Sequence, residues 1–232
     1  MQELKGTCAK CPFQNVERLC SRPEGKGPDF CSTKLYTDII AEADQQYKND
    51  PELMRFAHNS SCQESECYVR SKINPAKYQP LKCRIEEIVE FCKKQGYHTL
   101  GLAFCIGLRN EALALNRILE SHGFKVVSVI CKVGHTDKSE IGVQPEEKIS
   151  KSCAHESMCN PVAQAMILNA EKTEFNLMLG LCVGHDSMFI KYAEAPVTVV
   201  AVKDRLLGHN PLAALYSNYY AFLEKPKNAG GN

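Results

Sequence analysis

The sequence predicts an α/β fold: a doubly wound, mainly parallel sheet preceded by a cysteine-rich N-terminal module and helices. Two observations carry this expectation. Four runs, 99–105, 125–131, 175–182 and 197–202, are continuously apolar rather than alternating, the pattern of strands covered on both faces. Segments with apolar residues at helical spacing stand between them, and strand–helix alternation of this kind builds a Rossmann-like sheet. Such sheets bind ligands beyond the carboxyl ends of the strands, where the strand order reverses.

The elements follow in order. Residues 1–32 read as a loop-rich module holding Cys8, Cys11, Cys20 and Cys31 among Pro12, Pro23, Pro28, Gly25 and Gly27. Too few large apolar residues stand here to build a core, so a covalent or metal staple is expected. Residues 33–81 read as a helical segment and connector. Leu35, Ile39 and Ile40 recur at helical intervals, and Asp50-Pro51 forms an N-cap and first-turn pair for a second helix through Leu53, Phe56 and Ala57. Asn74-Pro75 and Gln79-Pro80 mark 71–81 as the connector.

Residues 82–225 form the expected α/β domain. A helix over 82–95 carries Ile85, Ile88, Val89 and Phe91, and one over 109–122 places Leu113, Ile118 and Leu119 on one face. The stretch 134–158 is polar and irregular. Asn160-Pro161 starts the next helix, a short helix spans 185–193, and the tail K-N-A-G-G-N reads as disordered.

Composition narrows the function. The chain has 28 basic and 27 acidic residues among 232, a net charge of +1, which gives no reason to expect nucleic acid or an anionic membrane as partner. No apolar run approaches the roughly 18 residues of a membrane span. The start M-Q-E-L-K-G-T-C lacks the apolar stretch of a secretory signal, so the cytoplasm is the expected compartment, where thiols stay reduced. An odd count of 13 cysteines also opposes complete disulfide pairing. Metal ligation, redox chemistry and plain burial remain, and a chain this rich in oxidisable thiols suits an anaerobic cell.

Cys105, Cys131 and Cys182 each close an apolar strand-like run, which brings three thiols to one edge of the sheet. Cys159 stands just before Asn160-Pro161, where a helix N-terminus favours thiolate. A single strand cysteine is ordinarily a small core residue. Four on separate elements at one edge point instead to a ligand set for an iron–sulfur cluster of the [4Fe–4S] type, a spacing unlike the close runs of ferredoxins. Cys153 competes with Cys159 in the same loop. In the N-terminal module the C-A-K-C pair with Cys20 and Cys31 supplies four thiolates for zinc or a second cluster. Cys62, Cys67, Cys83 and Cys92 are expected to pack within helices.

His185 follows Cys182, and Lys203 follows the last strand, so both are candidates for orienting a small polar or sulfur-containing ligand or for moving protons. The plainer reading makes Lys203–Arg205 a solvated turn and His209 a loop cap. Arg109, Asn110 and Glu111 open the helix after Cys105 and meet the same edge, whereas His98 and His122 sit at element ends as structural residues. No dinucleotide fingerprint, P-loop or nucleophile elbow is present.

The segments G-L-A-F-C-I-G-L-R-N-E-A, S-V-I-C-K-V-G, C-N-P-V-A-Q-A, L-G-L-C-V-G-H-D-S-M-F and V-K-D-R-L-L-G-H-N-P-L-A-A-L-Y together resemble the domain-of-unknown-function family 1847. The resemblance is strong over 98–220 and looser over the N-terminal cysteines. It implies cysteine-based metal binding without an established reaction, and it assigns no role to Cys62, Cys67, Cys83 or Cys92.

Overall fold

The computed structural model describes residues 6–216. The chain divides into two compact units, one running to Glu66 and the other beginning at Cys67. The disordered tail expected from sequence lies outside the described residues.

The first unit opens with irregular chain and continues as helices α1 (Ser32–Leu35), α2 (Thr37–Asn49) and α3 (Pro51–Glu66). The Asp50 carboxylate accepts the N–H groups of Glu52 and Leu53 at 2.9 and 3.0 Å, the N-cap expected from Asp50-Pro51. Ahead of α1 the chain folds back on itself. Leu19 N–H donates to Lys26 O, Lys26 N–H to Glu17 O, and Thr7 N–H reaches Phe30 O.

The second unit begins with a hairpin of β1 (Tyr68–Arg70) and β2 (Tyr78–Pro80), paired antiparallel with Val69 opposite Gln79. The sequence pattern predicts the end of the helical segment over 68–70 and a connector over 71–81, and the hairpin corrects both. All six strand residues are exposed, so no buried alternate face marks the strands in the sequence.

The α/β alternation follows: α4 (Arg84–Gln95), β3 (Thr99–Phe104), α5 (Arg109–Ser121), β4 (Lys125–Ile130), α6 (Pro161–Ala170), β5 (Phe175–Leu179), α7 (His185–Tyr192), β6 (Val197–Ala201) and the short α8 (Ala213–Tyr216). The sheet is parallel throughout, in the order β4-β3-β5-β6. The chain moves from β3 outward to β4, then returns past β3 to β5 and β6. The order therefore reverses between β3 and β5, which places the switch point there.

Alternation along the strands sends two sets of side chains to opposite faces. Ala103, Val129 and Met178 pack with Ala165, Leu168 and Phe189 of α6 and α7. Phe104 and Ser128 face Arg109, Ala112, Leu113 and Asn116 of α5 across a cleft of about 250 Å³. Helices cover both faces, as a double winding requires. Leu100, Leu102 and Leu177 in the central strands are fully buried, each contributing about 1.5–3 kcal/mol. On α5 the buried stripe is Ala112, Leu115 and Leu119, whereas Leu113 and Ile118 of the sequence-based face are exposed. Small Ala112 lets the helix approach the sheet, and the bulkier leucine beside it turns outward.

Two anchors fix the frame. The Arg84 guanidinium at the start of α4 donates to Val199 O at 2.6 Å and to the Thr198 hydroxyl at 2.9 Å on β6. Asn160 caps α6 by accepting Ala163 N–H at 3.0 Å. No described helix is long and apolar enough to cross a membrane.

Candidate thiol site at the carboxyl edge of the sheet

Cys105 and Cys131 extend the strand ladder by one step. Cys131 N–H donates to Phe104 O at 2.9 Å and Cys105 N–H to Leu179 O at 3.1 Å, so the two residues continue the pairing of β4, β3 and β5. Both are buried in the cluster that joins the sheet to α6 and α7. The Cys131 sulfur also accepts Ile106 N–H at 3.3 Å, which caps the turn leaving β3.

Cys159 reaches the same place from the helix side. Asn160 N–H donates to Cys131 O at 2.8 Å, tying the start of α6 to the end of β4. The Cys131 and Cys159 thiols lie within interacting reach of each other. The neighbouring Cys131 thiol is the main reason the Cys159 thiol is pulled well below its ordinary value, with Lys132 and His185 adding to it against the opposing effect of burial. The Cys159 side chain, followed by burial, pushes the Cys131 thiol up, and Cys105 lies near enough to add to the rise. Of the two, Cys159 is the one favoured toward the thiolate. Gln164, fully buried one turn into α6, donates to Val129 O at 2.7 Å and Phe104 O at 3.3 Å and holds the ends of β4 and β3 together beneath the thiols.

Cys182 is placed differently. β5 stops at Leu179, and Gly180 follows at φ +66°. A Cβ on Gly180 would overlap the Leu108 side chain, so both the backbone angle and the space demand glycine. Cys182 therefore stands beyond the ladder, in the turn that starts α7. Its carbonyl accepts the N–H groups of His185 and Asp186 at 2.9 and 3.0 Å, and its sulfur accepts an Arg205 guanidinium N–H at 3.0 Å.

Lys203 follows β6 and is half-buried, with its ammonium 3.0 Å from where a Cβ of Gly107 would lie. The Asp204 carboxylate accepts Leu206 and Leu207 N–H at 3.0 and 2.8 Å, and His209 Nδ1 accepts Asp204 N–H at 3.2 Å. His209 does cap this turn. Of the Lys203–Arg205 stretch, Arg205 is exposed but engaged, and Lys203 leans inward over the sheet edge.

The polar stretch 134–158 is tied down by Asp137. Its carboxylate accepts N–H from Ser139 at 2.9 Å and Glu156 at 2.7 Å, and contacts Lys148 Nζ and His155 Nδ1, each at 3.2 Å. The Ser139 bonds above all, then Glu156 and Lys148, hold its carboxyl far below the usual range. Lys138 pairs with Glu156, Lys132 donates to Ser157 O, and the exposed Cys153 thiol donates to His155 O at 2.7 Å. Cys159, and not Cys153, is the loop thiol that meets Cys131.

The sequence matches the family described as proteins of unknown function, DUF1847, over residues 31–200. The chain belongs to this family. An uncharacterized protein of Methanocaldococcus jannaschii is 44% identical over 197 residues, covering 82% of this chain and 93% of its own length. The span matched by the DUF1847 family holds Cys105, Cys131, Cys159, Cys182 and His185, and it leaves Cys8, Cys11, Cys20 and Lys203 outside.

The remaining thiols fall into distinct settings. Cys8 faces the Ser32 hydroxyl at 3.1 Å, and Ser32 holds its thiol below the ordinary value. Cys11 N–H donates to Cys8 O, and Cys31 lies with its sulfur beside Gly27. Cys20 is exposed in the loop between. Cys62 lies 3.7 Å from His58 Nε2 one turn earlier on α3. Cys67 is buried. Cys83 is the N-cap of α4. Cys92 is fully buried, and burial pushes its thiol up to about 12. Among the described residues no three His, Cys, Asp or Glu side chains stand in an arrangement that holds a single metal ion. A multi-iron cluster takes thiolates spread more widely than one ion does, and the donor set at the sheet edge is all thiol.

Proposed function

We propose that this protein binds a soft metal centre at the carboxyl edge of its sheet. The centre is an iron–sulfur cluster of the [4Fe–4S] type on Cys105, Cys131, Cys159 and Cys182. A second site, zinc or cluster, uses Cys8, Cys11, Cys20 and Cys31, whose thiols draw together only on binding it. The observation that carries this reading is the convergence of Cys131, Cys159 and Cys105 from three elements, with Cys159 held toward the thiolate that a metal requires. Cys182 joins the set by exchanging its Arg205 contact for the centre. A cluster with one open iron supplies Lewis acidity toward a small polar or sulfur-containing ligand, and a fully ligated one supplies electron transfer. His185, beside Cys159, and Lys203 are the residues proposed to act on that ligand. The balanced net charge favours a small molecule over nucleic acid, and reduced thiols suit the cytoplasm of an anaerobic cell.

The direct Cys131–Cys159 contact favours a second reading, a redox dithiol. The Cys159 thiolate attacks one sulfur of an external disulfide and the other sulfur leaves as a thiolate. Cys131, giving up its proton, then displaces the bound half to form the Cys131–Cys159 disulfide.

Iron, zinc and acid-labile sulfide on protein purified without oxygen, with a visible spectrum, separate the readings. Iron with sulfide and a brown colour are expected, and Cys159→Ser or Cys182→Ser should bleach it. Full iron and sulfide in Cys182→Ser would remove Cys182 from the ligand set. Metal-free protein that forms a Cys131–Cys159 disulfide on mild oxidation would establish the dithiol instead.

A further inference from the structure

At the carboxyl edge of the sheet stands Lys203, which the function above sets toward the ligand without saying which group of the ligand it holds. The Lys203 stem runs past Gly180, its Cδ 4.0 Å from where a Cβ there would lie, and its ammonium rests 3.0 Å from the corresponding point on Gly107. Gly107 lies in the turn after β3, and Gly180 is the first residue after β5. These two strands flank the switch point, so the lysine reaches from β6 across the crevice where ligands of doubly wound sheets bind.

A half-buried ammonium ordinarily pairs with a carboxylate or carbonyl. Among the described residues Lys203 has no such partner. The adjacent Asp204 turns its carboxylate onto Leu206 and Leu207 N–H, and Asp186 accepts the N–H of Ser187 at 2.7 Å. Neither carboxylate is ion-paired with the lysine. Arg205 brings a second cation to Cys182 at 3.0 Å. The edge thus carries positive charge in excess, and Gly107 makes the space in which the lysine head sits.

We infer that Lys203, seated over Gly107 and Gly180 with Arg205 beside Cys182, forms a subsite for a small oxyanion next to the thiol site. This rests on the thiol-site reading and adds the class of ligand: the molecule handled at the edge carries a carboxylate, a sulfur oxyanion or a phosphate. The ammonium holds the anionic group as a point charge, with the rest of the ligand lying toward Cys182.

The test is calorimetric titration of the full chain, purified without oxygen, with acetate, thiosulfate and inorganic phosphate at one fixed ionic strength. At least one anion should bind, and which one does so tells the three sources apart. Lys203→Met should weaken that binding by about tenfold or more. Gly107→Ala, which keeps every charge but crowds the ammonium, should weaken it as well. Cys153→Ser, which removes an exposed thiol outside the site, should leave it intact. No binding of any of the three to the parent protein, or equal binding by Lys203→Met, overturns the subsite. Metal retained with no anion bound sinks this inference alone. Anion bound by a metal-free protein sinks the metal centre and spares the subsite.

Discussion

Cys92 and Cys159 belong to the same α/β unit, and their surroundings drive their thiols in opposite directions. Cys92 sits in the last turn of α4 with no exposed surface, and burial alone pushes it up to about 12. Cys159 is only half-buried, and it meets a thiol, a lysine and a histidine that together pull it down. Depth alone would make both inert. The neighbours decide, because the adjacent thiol, Lys132 and His185 favour the charged form more than partial burial penalises it. The cysteines of this chain therefore divide by what touches them rather than by how deep they lie.

The largest expected consequence is kinetic. In native protein stripped of metal, at neutral pH, Cys159 should react with iodoacetamide roughly a thousandfold faster than Cys92, since only the thiolate attacks. Mass spectrometry of a labelling time course reads both sites at once. Comparable rates at the two sites would end the contrast. Gly180→Ala comes next. It forces an L side chain into the left-handed region and against Leu108, at a cost of about 2–4 kcal/mol in urea unfolding. It also sharpens the distinction between Cys182 and the two thiols on the ladder, for only Cys182 depends on that turn.

Cys92→Ser should cost about 1–3 kcal/mol by burying a hydroxyl in place of a thiol. Cys92 also predicts a loss of stability in alkali. The unfolded thiol ionises near about 8.5, while the folded one stays protonated toward about 12. Raising the pH between those values therefore favours the unfolded chain. Unfolding curves at neutral and alkaline pH should diverge in the parent protein and less so in Cys92→Ala.

The smallest effect concerns Asp137. Its carboxyl is depressed in the folded loop, so its contribution is present above the ordinary carboxylate range and is lost as pH falls through the folded value. Asp137→Asn should leave the sheet intact and expose 134–158 to proteolysis a few-fold faster, roughly. Unchanged cleavage would show that the loop holds without its central carboxylate.

The sheet was legible because its strands are mostly apolar without regular alternation, and each observed strand starts where the sequence pattern starts. Their ends were less legible. The run from Phe175 reads as one strand to Cys182, yet Gly180 breaks it, since the sequence does not display Leu108 filling the space at that glycine. The hairpin of β1 and β2 was missed because both strands are exposed. At the site, the strand-end position of Cys105 and Cys131 and the helix-start position of Cys159 were readable from sequence. Their mutual contact, the Arg205 bond to Cys182 and the seat of Lys203 on Gly107 were not, because each joins residues distant along the chain.

The bond from Cys105 N–H to Leu179 O joins the centre of the sheet to a strand made much later in the chain. The thiol set cannot exist until β5 has docked beside β3, and parallel pairing of such separated segments is slow, because the closure entropy comes first. The nascent chain therefore presents its sheet-edge cysteines singly and unprotected for most of its folding. Any loading of the site must wait for the last strands to arrive.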